Sequence, residues 1–277
     1  AIAIGTDAGF VAQGFNNVAI GFGAGKNRQT EDAISIGTDA GSADQGTSGI
    51  AIGHFTARTS QGNDSIAVGT FAGDANQGTL GIALGFGSGR YKQGKGSGSG
   101  TGGAIAIGNG AGTGTTLIGQ DTGAIAIGTD AGSTGQQFNS VAIGNLSGKT
   151  SQGDSSVAIG TNAGETVQGT GCIAIGSTAG NDTQGSYSVS IGLGAGQTLQ
   201  GISGIAIGEA SGGINQGQFS IAIGSTAGQI SQSTNSIAIG YTAGGTSQNA
   251  SSIAIGDTAG RYKQGIGASG GTGSAIA

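Results

Sequence analysis

"SIAIGSTAGQISQSTNSIAIGYTAGGTSQNASSIAIGDTAG", from Ser220 to Gly260, states nearly the same phrase three times, each "AIG" returning sixteen residues after the last. The glycine closing each "IAIG" indexes the repeat: Gly5, Gly21, Gly37, Gly53, Gly69 and Gly85, then Gly128, Gly144, Gly160, Gly176, Gly192, Gly208, Gly224, Gly240 and Gly256. Every step inside each block is sixteen residues. Self-similarity at a fixed period signals a solenoid or array.

Composition narrows the choice. The 277 residues include 65 Gly but no Pro, Met or Trp, and only 8% are charged. Collagen needs Gly at every third position with abundant Pro, so it is excluded. Ile and Val recur in register, which argues against elastic disorder. No apolar run approaches the roughly 18 residues of a membrane helix.

Within a coil, "S-I-A-I-G" alternates β-branched and small residues, which predicts a short strand. A small residue and a second Gly follow (Ala8–Gly9, Ala24–Gly25, Ala179–Gly180), and a second extended segment then reaches Gln. Glycine at this density makes helix a poor alternative, at about 1 kcal/mol each relative to Ala. The expected fold is all-β, a parallel β-solenoid (β-roll) of 16-residue coils.

Eight residues after every coil glycine stands a glutamine. The row is Gln13, Gln29, Gln45, Gln61, Gln77 and Gln93, then Gln136, Gln152, Gln168, Gln184, Gln200, Gln216, Gln232, Gln248 and Gln264. A solvent-facing position would drift among Ser, Thr, Asn and Lys. An invariant amide at a stacking distance of about 4.7–4.8 Å can donate to one neighbouring coil and accept from the other, a structural amide ladder. A row of ligand-binding amides is the alternative. The "IAI" strand adds a second inference: its outer positions are Ile, Val or Leu and its middle is Ala or Ser, so it is apolar on both faces. Such strands are buried on both faces, which predicts that another copy of the chain covers the outer one.

"NSVAIG" (Asn139 to Gly144), "SSVAIG" (Ser155 to Gly160) and "NSIAIG" (Asn235 to Gly240), each followed by a small residue and Gly, resemble the YadA-like head repeats of trimeric autotransporter adhesins and related viral and phage fibre repeats. The resemblance covers both regular blocks. It implies a left-handed roll, three chains side by side, and an adhesive or fibrous role on a cell or virion surface, facing a host surface or a polysaccharide. The departures are a longer coil than the family's usual repeat and the fixed Gln row.

Between Gly85 and Gly128 the spacing is lost. The expected organisation is a β-roll block over 1–89, a Gly-rich irregular junction over 90–123, a second block over 124–260, and the start of another junction over 261–277. "GRYKQGKGSGSGTGGAIAIG" (Gly89 to Gly108) recurs as "GRYKQGIGASGGTGSAIA" (Gly260 to Ala277), which favours a built junction over a flexible linker. The chain opens on a full core strand and closes on most of another, which predicts that the stack continues at both ends.

Few residues offer chemistry. His54 is the only histidine, so His-based triads and multi-histidine metal sites are ruled out, and no cofactor, metal or catalytic site is expected. Asp7, Asp39 and Asp130 in "GTDAG" read as turn formers. Cys172 occupies a slot held elsewhere by Ser156, Ser188 and Gly204, a small packed residue. Arg58, Arg90, Lys149 and Arg261 lie five residues after their coil glycines, Lys92 and Lys263 seven, as solubilising corner charges. With net charge −5 and no basic stripe, nucleic-acid binding has no support. Asn63, Asn145, Asn181 and Asn249 begin glycosylation sequons. The functional expectation is a structural or adhesive fibre subunit. The rival is an ice-binding solenoid, against which the pairs after the first six coil glycines (TD, FG, TD, HF, TF, FG) are irregular.

Overall fold

Each β-branched triplet forms a strand that lies parallel and in register with the triplet one coil away, as Ile2↔Val18, Ala3↔Ala19 and Ile4↔Ile20 illustrate. The computed structural model describes residues 1–94, 102–116, 118–263 and 276–277. The chain divides into two compact units, Ala1–Thr150 and Ser151–Ala277. In the first, the triplet strands follow one another from Ile2–Ile4 through Ile66–Val68, Ile82–Leu84, Ile105–Ile107 and Ile125–Ile127 to Val141–Ile143. In the second they run from Val157–Ile159 through Ile173–Ile175 and Val189–Ile191 to Ile253–Ile255.

A second set of short strands ends on the glutamines. It includes Ala43–Gln45, Thr59–Gln61 and Ala75–Gln77 in the first unit, and Thr183–Gln184, Thr198–Gln200 and Ile214–Gln216 in the second. Gln pairs with Gln across each step, as in Gln45↔Gln61 and Gln200↔Gln216. The corners stack too: Gly21 N donates to Ile4 O (2.8 Å), Gly25 N to Ala40 O (2.9 Å) and Gly14 N to Gln29 O (2.8 Å). Every side of the coil thus gives its backbone groups partners in the next coil. The protein is a parallel β-solenoid.

Its interior reverses the usual allocation of large and small residues. Beyond the first coil the middle Ala of the triplets is buried, as at Ala51, Ala126 and Ala206, while the flanking Ile and Val face outward. The Ala three residues after the coil glycine is buried as well (Ala24, Ala72, Ala163). The largest fully buried side chains are all glutamines. Alanine methyls and Gln amides fill the gap between the two strand layers, so the core is thin and its largest occupants are polar.

Two glycine positions follow from this geometry. The coil glycine has φ near +127°, and a Cβ there would meet the backbone of the next coil's glycine: at Gly21 it would lie 2.7 Å from Gly37 O. The glycine four residues on makes room for the coil's own glutamine. A Cβ on Gly25 would lie 2.7 Å from Gln29 Oε1, and one on Gly228 2.5 Å from Gln232 Oε1. The Gly and the Gln are therefore one device.

Within the segment 90–123, expected as an irregular junction, one strand keeps the register. Ile105–Ile107 pairs in register with Ile82–Leu84 on one side and Ile125–Ile127 on the other. Gly108 is thus a coil glycine, and the described residues of 90–123 belong to two enlarged coils. One carries seven extra residues after Gln93, the other four before Gln120, and these insertions hide the period. The twenty-three-residue step from Ile82 to Ile105 recurs from Ile253 to Ile276, which pair in parallel. The rest of the expected second junction, 264–275, lies outside the described residues.

Candidate functional surfaces

Three features of the molecule are candidates for function: the glutamine row, the outward isoleucines and one corner of the first unit. The glutamines from Gln29 to Gln93 and from Gln136 to Gln248 are buried, and Gln13 is half-buried. Gln264 lies outside the described residues. Their most regular partners are backbone carbonyls of the surrounding coils rather than each other. Gln45 Nε2 donates to Ile34 O and Gly49 O (both 2.8 Å); Gln200 Nε2 donates to Val189 O (2.9 Å) and Gly204 O (3.1 Å). Each amide crosses the core and ties the two strand layers together.

The Gln-to-Gln ladder forms at some steps, including Gln13 to Gln29 (3.0 Å), Gln168 to Gln184 (3.1 Å) and Gln200 to Gln216 (3.0 Å). The carbonyls claim the amide protons first, so the ladder is intermittent. Where Ser replaces the middle Ala, its hydroxyl serves the amide: Ser35 Oγ donates to Gln45 Oε1 (2.6 Å) and Ser190 Oγ to Gln200 Oε1 (2.7 Å). Sequence reasoning passed over Gln120, which is buried and donates to Ile105 O, Ala124 O and Gln136 Oε1. The signal was present, because Gln120 stands five residues before Ile125, as Gln13, Gln29 and Gln136 stand before their strands. Buried this deeply, the regular row offers a ligand no amides.

The outward positions of the triplet strands carry only Ile, Val or Leu in either unit. Ile52 and Ile143 in the first unit, and Ile175, Ile191 and Ile207 in the second, are each 36% exposed although members of their own rank lie on both sides. The other strand set presents a mixed surface, with Thr59 and Ser60 or Thr198 and Leu199 beside the buried Gln. Each unit thus has one uniformly apolar strand face.

Two of the residues expected to be solubilising corner charges, Arg58 and Arg90, come together around Asp74. Arg58, Asp74 and Arg90 occupy the same position in three consecutive coils. The Asp74 carboxylate, 2% exposed, lies 3.0 Å from Arg58 Nε and 3.5 Å from Arg90 Nε. Arg58 lies over the Phe55 ring (5.0 Å) and Arg90 over that of Phe71 (4.5 Å). Phe55, Phe71 and Phe86 continue as a row at centroid spacings of 5.5 and 6.1 Å, with His54 against Phe55.

The remaining sequence candidates are structural in place. Asp7, Asp39 and Asp130 adopt φ of 58°, 51° and 52°, turn conformations that Asp tolerates. Cys172 is buried, with Sγ 3.0 Å from Gly185 O. Among the described residues no cluster of three His, Cys, Asp or Glu could hold a metal ion, and no helix is long and apolar enough to cross a membrane. The fold and these surfaces define a parallel β-solenoid repeat protein. No known family model matches the chain, and neither does any curated protein.

Proposed function

We propose that the protein is a structural subunit of an extracellular, cell-surface or virion-surface fibre, without catalysis, that associates side by side with copies of itself through the isoleucine faces. One observation carries this reading: the outward Ile and Val ranks are uninterrupted by any polar residue, while the interior uses Ala and Gln. A large contiguous apolar surface marks an interaction site. A rank that repeats at the β-stacking interval of about 4.8 Å interdigitates best with a rank of the same rise, and another copy of this chain supplies one. Three copies is the number that the resemblance to adhesin head repeats implies. The adhesive role and surface location come from the same resemblance.

Light scattering on the purified chain is the test, with an expected mass three times the 26.0 kDa of one copy. The ice-binding alternative gains nothing from an outward face of Ile and Val, which has no hydroxyl array. Thermal hysteresis should be absent at micromolar protein. Clear hysteresis from a chain that stays monomeric would replace this reading with the rival.

A further inference from the structure

The geometry points to a binding site for an anionic polysaccharide at the aromatic and guanidinium corner of the first unit. The cluster formed by Phe55, Arg58, Phe71, Asp74, Phe86 and Arg90 does nothing for the core, which Ala and Gln fill in these coils. Phe55 and Phe71 hold φ of 54° and 59° at a corner position that other coils also hold left-handed, Leu146 at 57° and Thr226 at 56° among them, so the corner sets these rings in register.

The corner is also preorganised. Asp74 is buried and holds Arg58, whose Nη2 donates to Oδ2 (3.1 Å) with Nε 3.0 Å from Oδ1, while Arg90 Nε stands 3.5 Å from Oδ2 as an ion pair without a hydrogen bond. A guanidinium has five N–H donors, so these contacts leave donors unspent. The side chains remain 42% and 34% exposed. Two cations against one carboxylate make the corner locally positive on a chain of net charge −5. Phe86, at 58% exposure, and the exposed His54 extend the aromatic row to solvent.

A ligand suited to this row repeats at the spacing of the rings, carries flat apolar faces for Phe and His, and bears negative charge for the arginines. Linear polysaccharides with carboxylate or sulfate groups meet all three conditions. Fixed guanidinium forks favour such planar or tetrahedral anions. The site does not depend on lateral association through the isoleucines.

Calorimetric titration at low salt with heparin, polygalacturonate, dextran and oligodeoxythymidylate tests the proposal. Heparin or polygalacturonate should bind, whichever does identifying sulfate or carboxylate as the preferred group, and dextran should not. Arg90→Gln combined with Phe86→Ala should weaken binding by roughly tenfold or more, the loss expected when an anchoring Arg and aromatic are truncated. Lys149→Gln removes the same charge from the equivalent corner position of another coil and should change affinity by less than about twofold. Circular dichroism checks that the double variant is folded. If it is not, Phe86→Ser alone, at an exposed position, carries the test. The Ile175→Lys variant should bind as the parent does, which separates this site from self-association. Failure of both acidic polymers to bind, equal loss in Lys149→Gln, or preference for dextran or oligodeoxythymidylate would overturn the proposal.

Discussion

Replacing Gln200 with leucine is expected to destabilise its coils by about 3 kcal/mol or more, because each buried polar group left without a partner costs about 1–3 kcal/mol. Leucine approximates the volume but offers no donor or acceptor. Val189 O, Gly204 O and Gln216 Oε1 would each lose a donor, and the buried Ser190 hydroxyl would lose its acceptor. Thr198→Ala, two residues away on the same strand, should cost no more than about 0.5 kcal/mol. Amide hydrogen exchange across residues 185–220 reads both effects locally, which suits a repeat whose coils contact mainly their neighbours. Equal protection in the two variants would mean that the glutamine clamp contributes little.

A coil glycine should be harder still to replace. At Gly192 φ is +129° and a Cβ would sit 2.6 Å from Gly208 O and 2.7 Å from Gly208 C, so alanine there must push two coils apart. Gly87 provides the internal control: φ is +61° and nothing lies within 4 Å of a Cβ. Gly87→Ala bears only the left-handed backbone penalty, about 1–2 kcal/mol. Gly192→Ala adds a backbone collision and should exceed about 3 kcal/mol, in the range of severe core disruption. Denaturation followed by circular dichroism compares them. Similar midpoints would show that the stack yields easily at its glycine spine.

The parts of the molecule legible in the sequence are those with strict period. The triplet strands, the coil glycines and the Gln row announced themselves because stacking forces the same side chain to the same place in every coil. Ile105–Ile107 and Gln120 were hidden because indexing on glycines alone is broken by two insertions, although the five-residue step from Gln to strand survives the second, at Gln120 and Ile125. The orientation of the triplet was harder, since size argues for Ile inside. What decides it is the narrow gap that a Gln amide can bridge, and the sequence recorded this by never placing more than Ala or Ser in the middle. Arg58 and Arg90 read in the sequence as solubilising corner charges, and Asp74 stands between them at steps of sixteen residues. Register alone brings them into one cluster.

Self-association through the isoleucine face is tested most directly by charging it. The double variant Ile175→Lys with Ile191→Lys places two cations on adjacent outward positions that are already 36% exposed, so the coil itself should fold. Light scattering should give three times 26.0 kDa for the parent chain and a single 26.0 kDa mass for the variant, with matching circular dichroism spectra. A parent chain that is a folded monomer, or a variant that keeps the parent's oligomeric mass, would contradict the assignment of this face to self-association.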